Sequence, residues 1–139
     1  MAAIECNVFE GATGDFLLIR GDDAQGNLIA PRVTITTDGR RDADGWPWWS
    51  PNGQPLTIER WGRVNWRDVI GFRGANEVER LPDEWNQFVI TCRDATIRVE
   101  LNGELVNGAT SVWPNAGKIL LQCEGSEVFF RKMLLRQFE

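Results

Sequence analysis

Residues 86–103 read NQFVITCRDATIRVELNG, and they carry the strongest fold signal in the chain. Apolar and polar side chains alternate in two runs separated by a short polar connection, which is the period of a β-strand with one buried face. The apolar members of these runs are Phe88, Ile90, Cys92, Ile97, Val99 and Leu101. Asn102–Gly103, at the end of the second run, is a strong hairpin-turn signal. The stretch therefore predicts two antiparallel strands that share a core face.

Similar runs, rich in Val, Ile, Phe and Thr, recur along the whole chain. They cover Ala3–Phe9, Phe16–Arg20, Arg32–Thr37, Leu56–Trp61, Asn86–Cys92, Thr96–Leu101, Lys118–Cys123 and Glu127–Leu135. Turn signals are Gly11–Gly14, Gly26–Asn27, Asp38–Gly39, Asp44–Gly45, Asn52–Gly53, Asn102–Gly103 and Asn107–Gly108. Helical signals are poor, since Ala75–Arg80 offers at most one turn. The pattern predicts a single all-β domain over residues 1–139, an antiparallel β-sandwich or barrel.

A polar face is expected on the C-terminal strands, opposite the core face. In the run 118–124, Ile119, Leu121 and Cys123 alternate with Leu120, Gln122 and Glu124. If the strands are neighbours, the polar face carries Arg98, Glu100, Gln122 and Glu124. Two interpretations stay open: a solvated face with cross-strand ion pairs, and a face that binds sugars.

The 139-residue chain contains no histidine and no tyrosine. This excludes Ser-His-Asp and Cys-His catalysis, histidine-bound zinc or iron, and a tyrosine nucleophile. The formal net charge of −5 disfavours a nucleic-acid partner, and no apolar run is long enough to span a membrane. Chemistry is left to carboxylates, arginines, a lone cysteine, backbone groups or an oxygen-bound metal.

The three cysteines, Cys6, Cys92 and Cys123, lie far apart in apolar alternating runs. We expect buried free thiols, with one disulfide as the alternative, because an odd number cannot pair completely.

Calcium could be held by oxygen ligands in two loops, but neither follows the full calcium-loop pattern. These ligands are Asp22, Asp23 and Asn27 in one loop and Asp38, Asp42 and Asp44 in the other. We favour turn-forming aspartates, and expect no metal and no cofactor.

Three tryptophans, Trp46, Trp48 and Trp49, stand among prolines and glycines in residues 44–53, which predicts a stiff irregular loop. Indole rings suit the CH-rich faces of sugars, so these residues are candidates for sugar binding. The alternative is a loop that folds back and caps one end of the core.

Five motifs carry a family resemblance. Glu84–Asn86 (EWN) enters a strand, and Ile97–Gly103 (IRVELNG) follows it. Gly117–Gly125 (GKILLQCEG) and Glu127–Arg131 (EVFFR) then form a closing pair, while Gly14–Gly21 (GDFLLIRG) lies upstream. In order and spacing they resemble the 3-keto-disaccharide hydrolase-like family. The resemblance implies a concanavalin A-like jelly roll of two antiparallel sheets and a carbohydrate or glycoside ligand.

The resemblance also implies a reaction on sugars oxidised at C3. The 3-keto group acidifies the C2 proton, so the glycosidic oxygen can leave by elimination before water adds. This needs a base and a partner for the enolate oxygen. By motif, Glu124 is the first candidate base and Glu100 a second carboxylate, with Arg20 or Arg98 beside the enolate and Gln122 as a positioning donor. In the alternative, Glu124 only closes a hairpin and Arg20 pairs with a nearby aspartate.

Two departures from the family pattern matter. Pro31–Ile35 (PRVTI) stands where many members carry an acidic strand, and this favours a non-catalytic carbohydrate-binding module as the alternative function. Family domains also carry further strands before the first one seen here. A missing strand exposes a sheet edge, so we expect a tendency to form homo-oligomers, and a structural or interaction domain is a third function to consider. The resemblance suggests a bacterial protein at or outside the cell envelope.

Overall fold

The computed structural model of the chain describes residues 2–41, 47–58, 71, 77–123, 125 and 127–138. These residues form an all-β structure without helices, so no helix of the described part is long and apolar enough to cross a membrane. The strands are β1 (Ala3–Cys6), β2 (Phe16–Ile19), β3 (Gly21–Asp22), β4 (Leu28–Ile29), β5 (Arg32–Arg41), β6 (Pro47–Trp49), β7 (Gln54–Ile58), β8 (Phe88–Arg93), β9 (Thr96–Leu101) and β10 (Glu104–Trp113).

The largest sheet has six strands in the order β6-β5-β10-β9-β8, with β7 also paired to β5. Every pairing is antiparallel, and β1–β2 and β3–β4 form two small sheets. Phe16 and Leu18 of β2 pack against Val33 and Ile35 of β5 and Val99 of β9. The alternate residues of these strands are buried because both sheets turn their apolar faces inward. The fold is an antiparallel β-sandwich, as the sequence predicts.

The register of β8 and β9 confirms their shared core face. Phe88 lies opposite Leu101, Ile90 opposite Val99, and Cys92 opposite Ile97. Burial differs along β8, however. Phe88 packs on the core cluster, whereas Ile90 is 47% exposed and Cys92 is also exposed. Among the described residues β8 is the last strand of its sheet, and Phe88 is the β8 residue that packs on the core cluster.

The two strands predicted for Lys118–Cys123 and Glu127–Leu135 are wrong for the described residues of these ranges, which form no strand. Their apolar side chains lie at the surface, and the exposed fraction reaches 84% at Leu135. A strand needs a neighbour to satisfy its backbone groups, and alternation alone does not supply one.

Two predicted turns also lie inside strands. Asn107–Gly108 is part of β10, where the Asn107 side chain is completely buried. Asp38–Gly39 is part of β5, and Gly39 takes a φ of 88° where the pairing with β6 shifts register. Asn102–Gly103, by contrast, forms the predicted turn, with φ values of 54° and 89°.

No disulfide joins the three cysteines, and Cys92 and Cys123 are exposed. The prediction of buried thiols is therefore wrong for these two and fits only the partly buried Cys6. Burial raises the pKa of the Cys6 thiol to about 12, and the nearby Asp15 carboxylate and Cys92 act in the same direction.

Candidate functional site

The six-stranded sheet has one face turned away from the core, which we call the open face. The core-facing residues of this sheet include Val33, Ile35, Val99 and Ala109. The residues that alternate with them along each strand therefore point outward. The open face carries Arg32, Thr34, Thr57, Thr91, Arg98, Glu100, Gly108, Thr110 and Trp113. The predicted polar face is thus present on β8 and β9 with Arg98 and Glu100, but the predicted third strand at 118–123 is not formed; the face continues instead over β10, β5 and β7.

Arg98 and Glu100 form an ion pair at the middle of β9. Arg98 Nη2 lies 3.0 Å from Glu100 Oε1, and the two side chains keep 53% and 27% of their surface exposed. Such a pair on a sheet surface contributes at most about 1 kcal/mol to stability. The pair matters for the candidate site because it places a cation and a carboxylate together on an accessible surface.

The neighbouring strands shape the surroundings of this pair. Arg98 lies between Thr91 of β8 and Gly108 of β10, while Glu100 lies between Val89 and Leu105. Gly108 has no side chain, so β10 leaves room beside the guanidinium. Val89 and Leu105 give the carboxylate apolar neighbours on both sides.

The sequence analysis missed Trp113, which is 41% exposed at the end of β10. The Arg32 guanidinium lies 5.2 Å from the centre of its ring, and the two residues are paired across β5 and β10. This cation–π contact holds an indole at the same face as the Arg98–Glu100 pair. The run ELVNGATSVW forms the strand that carries Trp113. The sequence analysis did not predict this strand because it interpreted Asn107–Gly108 as a turn.

Arg20 and Gln122 are not part of the strands that form the open face. Arg20 follows β2, in a different sheet from Arg98 and Glu100, and Gln122 is exposed in the segment after β10. Glu124 and Trp46 lie outside the described residues. Among the nominated residues, the structure brings Arg98 and Glu100 into direct contact.

Trp48 and Trp49 belong to the short strand β6, not to an irregular loop as the sequence analysis predicted. Trp49 pairs with Thr37 of β5 and packs on the core cluster, which agrees with the core-capping alternative. Trp48 is partly exposed, with the Arg40 guanidinium 5.7 Å from its ring centre. β5 and β10 separate these indoles from Arg98 and Glu100, because β6 lies at the far edge of the sheet.

The asparagines of the sequence motifs have structural roles. Asn102 Nδ2 donates to the carbonyl of Val78 at 2.7 Å and to Asn86 Oδ1 at 2.8 Å. Asn102 Oδ1 accepts from the backbone N–H of Gln87, and Asn86 Oδ1 accepts from that of Arg80. These bonds attach residues 78–87 to the β9–β10 turn, so the motif marks a fold-stabilising network beside the open face.

The aspartate loops form turns. The Asp23 carboxylate accepts hydrogen bonds from the Asn27 side chain and from the backbone N–H groups of Asn27 and Gln25, and these lower its pKa. Hydrogen bonds from Arg40 likewise lower the pKa of Asp38. Asp42 and Asp44 lie outside the described residues. No group of three potential metal ligands occurs within the part of the chain that the structure covers.

These observations define an all-β sandwich with a polar, partly aromatic open face. Residues 10–136 match the family described as the 3-keto-alpha-glucoside-1,2-lyase-like domain, and the chain belongs to that family. The match spans most of the 139 residues and agrees with the motif resemblance and with its concanavalin A-like fold. No curated protein and no solved structure matches the chain.

Proposed function

We propose that this protein cleaves glycosides whose sugar is oxidised at C3, with the reaction taking place on the open face. Glu100 is the base and Arg98 stabilises the enolate. The observation that carries the proposal is the Arg98–Glu100 contact of 3.0 Å on an accessible sheet surface. Membership of the 3-keto-alpha-glucoside-1,2-lyase-like family supports the reaction class.

In the first step the Glu100 carboxylate removes the C2 proton. The C–H electron pair forms the C2=C3 bond, and negative charge moves to the oxygen at C3. The Arg98 guanidinium has five N–H donors, so it can hold Glu100 and also donate to this oxygen. Placing a fixed cation where charge develops lowers the barrier without reorganising solvent.

In the second step the enolate collapses and the C1–O bond breaks. The leaving oxygen takes a proton from protonated Glu100 or from water, and a C1=C2 double bond remains next to the ketone. Addition of water, with hydroxyl at C1 and a proton at C2, would complete hydrolysis. Neither step needs a histidine, which agrees with the composition of the chain.

The test is the release of 4-nitrophenol from its 3-keto-α-glucoside, with substrate carrying hydrogen or deuterium at C2. We expect turnover with a primary isotope effect when proton removal limits the rate. Glu100→Gln should lower kcat about 100- to 10,000-fold, the usual contribution of a general base. Glu104→Gln is the matched control, because Glu104 is an exposed carboxylate on the adjacent strand, outside the proposed pair.

The same assay separates Glu100 from Glu124, the residue that the family motif nominates first. If Glu100→Gln keeps full turnover and Glu124→Gln abolishes it, Glu124 is the base and our assignment is wrong. Arg98→Gln should reduce kcat with little effect on folding, measured by the thermal unfolding temperature. Full activity in Arg98→Gln would remove this arginine from the mechanism; Arg20→Gln tests the other motif arginine.

A non-catalytic carbohydrate-binding module is the second candidate, favoured by the exposed Trp113 on the same face. A sugar ring that stacks on this indole should change tryptophan fluorescence in a saturable way. Trp113→Phe should reduce the change, whereas Trp48→Phe should not if the ligand lies beside Arg98 and Trp113, because β6 is at the far edge of the sheet. Saturable binding without any aglycone release would establish this alternative in place of the enzyme.

A further inference from the structure

Strand β5 carries an arginine near each of its ends, and each arginine lies against a tryptophan of a neighbouring strand. Arg32 is the first residue of β5, and its guanidinium carbon lies 5.2 Å from the ring centre of Trp113 in β10. Arg40 is the last residue but one, and its guanidinium carbon lies 5.7 Å from the ring centre of Trp48 in β6. A cation over an indole is attracted by the π electrons of the ring and restricts its position. One strand therefore positions two indoles.

Both indoles lie on the open face of the six-stranded sheet. Val33 is completely buried, so the preceding Arg32 points outward, together with the exposed Trp113 that it contacts. At the other end Trp49 packs on the core cluster, so Trp48 before it points to the opposite side of β6 and is partly exposed. The two cation–π pairs thus face the same side of the sheet.

The spacing of the two pairs sets the size of a ligand that contacts both. Arg32 and Arg40 are eight residues apart in β5. A strand rises about 3.3 Å per residue, so the two guanidinium groups are separated by roughly 25 Å. One sugar ring is far smaller than this distance. A ligand that stacks on both indoles must therefore be an extended chain.

Hydroxyl groups occupy the open face between the two indoles. Thr34 of β5 lies opposite Thr57 of β7 and opposite Thr110 of β10, so one row of threonines crosses three strands. The Thr34 and Thr57 hydroxyl oxygens are 2.9 Å apart and share a hydrogen bond. A hydroxyl can both donate and accept hydrogen bonds, so this row can exchange them with the hydroxyls of a ligand.

The charges beside Trp48 favour an uncharged ligand. Arg40 Nε lies 2.8 Å from Asp38 Oδ2, and the Arg40 side chain keeps 66% of its surface exposed. A guanidinium has five N–H donors and a carboxylate has about four acceptor sites, so this pair can still bond to hydroxyls of a ligand. An anionic chain would meet the Asp38 carboxylate, and a cationic chain would meet both arginines.

The arrangement is unlike the centre of a protein–protein interface. Such a centre is a contiguous apolar patch with few charged residues. Here hydroxyls separate the two indoles, and an ion pair lies beside one of them. Indole faces suit the CH-rich faces of sugar rings, while hydroxyls and charged groups suit their hydroxyls. A chain of uncharged sugar rings matches both features.

We propose that the part of the open face between Trp113 and Trp48, which we call the β5 strip, binds a linear, uncharged oligosaccharide. One sugar ring stacks on each indole, and the threonine row bonds to the rings between them. This inference goes beyond the proposed reaction and does not depend on it, because the β5 strip needs neither a 3-keto group nor Glu100.

The test is a chain-length series with unoxidised gluco-oligosaccharides, from the disaccharide to the heptasaccharide, in cellulose-type, laminarin-type and amylose-type linkages. Isothermal titration calorimetry with the full chain measures the affinity. For one of the linkages we expect the affinity to increase with chain length and to level off once the chain reaches both indoles. The heptasaccharide should bind at least about tenfold more tightly than the disaccharide, because the second contact forms within the same complex.

Variants of the two indoles test the geometry. Trp113→Ala and Trp48→Ala should each remove the gain from chain length, so that the heptasaccharide binds about as weakly as the disaccharide. Trp85→Ala is the matched control, because Trp85 is 42% exposed just before β8, outside the β5 strip, and the gain should persist. The thermal unfolding temperature verifies that each variant is folded.

A substitution in the threonine row keeps the test decisive if an alanine variant fails to fold. Thr34→Val preserves the shape of the side chain and suits a strand. It should lower the affinity for the heptasaccharide about threefold to tenfold, the usual effect of removing one hydrogen bond. The affinity for the disaccharide should change less if the disaccharide binds at an indole.

Several results would overturn the β5 strip. One is the absence of binding by all three heptasaccharides at millimolar concentration, and another is an affinity that does not depend on chain length. An equal loss in Trp85→Ala and Trp48→Ala would place the ligand elsewhere. A molar mass that decreases on Trp48→Ala would assign the strip to a second copy of the chain. The probes carry no 3-keto group, so none of these results bears on the release of 4-nitrophenol by Glu100.

Discussion

Asn107 Nδ2 donates a hydrogen bond of 2.8 Å to the carbonyl of Gly14, a residue 93 positions earlier in the chain. Asn107 Oδ1 accepts from the backbone N–H of Gly108. The asparagine is completely buried, so these bonds replace its contacts with water. They connect β10 of the large sheet to the loop that precedes β2, and thus fix one sheet of the sandwich against the other.

Asn107→Ala should therefore destabilise the protein by about 1–3 kcal/mol, because the Gly14 carbonyl would lose its buried partner. The measurement is the free energy of unfolding from urea titration, with Asn115→Ala as the control at an exposed asparagine. Equal stability of the two variants would show that water satisfies the Gly14 carbonyl equally well.

Gly14 itself should tolerate no side chain. Its φ is 92°, and a Cβ built there would lie 2.6 Å from Val106 Cγ2. Gly14→Ala should cost about 1–2 kcal/mol from the backbone conformation and a further amount of about 1–3 kcal/mol from overpacking. The unfolding free energy measures the sum.

Gly26→Ala separates the cost of the backbone conformation from the cost of overpacking. Gly26 has a similar φ of 82°, but nothing lies within 4 Å of its added Cβ. It should show the backbone cost alone. Combining Gly14→Ala with Val106→Ala should restore part of the lost stability relative to the sum of the single variants. Strict additivity of the pair would contradict the steric explanation.

The Cys6 thiol should make stability depend on alkaline pH. Its pKa rises from 9.0 to about 12 on folding, mainly through burial. The folded protein therefore retains a proton that the unfolded chain loses, so the stabilising contribution is complete below pH 9 and decreases as the pH rises towards 12. Cys6→Ala should show a smaller loss of unfolding free energy over that range.

Thiol reactivity gives an independent measure of the same effect. At pH 8 the raised pKa lowers the thiolate fraction of Cys6 about a thousandfold compared with an ordinary cysteine. Ellman's reagent should label Cys123 readily in the folded protein and label Cys6 only after unfolding. Rapid labelling of Cys6 in the folded state would show that its thiol is not desolvated.

Two Asn-Gly pairs show where sequence reasoning succeeds and where it stops. Asn102–Gly103 forms the predicted hairpin turn between β9 and β10, since flanking alternation and turn chemistry agree. Asn107–Gly108 has the same residues but lies in β10, because Asn107 finds a hydrogen-bond acceptor in Gly14. The deciding contact is distant in sequence, and local propensity cannot reveal it.

The same distinction between local and distant contacts explains which strands were predicted correctly. β8 and β9 are adjacent in sequence and pair through a short connection, so their alternation predicted them correctly. Residues 118–123 alternate equally well, yet their strand state depends on a neighbour that the pattern cannot identify. Burial of Ile119, Leu121 and Cys123 was predicted from alternation and is wrong, since all three are exposed.

The candidate site was partly predictable. Arg98 and Glu100 were assigned to one polar face because a period of two places them there, and the structure adds their ion pair. The Arg32–Trp113 pair was missed, since it depends on the pairing of β5 with β10 across a register shift. Site geometry that crosses strands distant in sequence needs the sheet order, which periodicity does not provide.

Gly108 offers a steric probe of the open face. It lies opposite Arg98, between the buried residues Asn107 and Ala109, so a side chain added here would point away from the core. The nearest atom to such a Cβ is the Ile97 carbonyl oxygen at 3.5 Å, which is an ordinary contact. Valine also suits a strand. Gly108→Val should therefore fold normally but fill the space beside the guanidinium.

If a sugar binds beside the Arg98 guanidinium, Gly108→Val should weaken its binding at least tenfold. The measurement is isothermal titration calorimetry with a 3-keto-glucoside. Thr110→Val is the control, because it lies on the same face and changes the side-chain volume little. Its affinity should stay within about threefold of the wild type, since the hydroxyl makes only a long contact of 3.5 Å with the Thr34 carbonyl. Unchanged affinity in Gly108→Val, at unchanged thermal stability, would place the ligand away from Arg98 and direct attention to the indoles of β6.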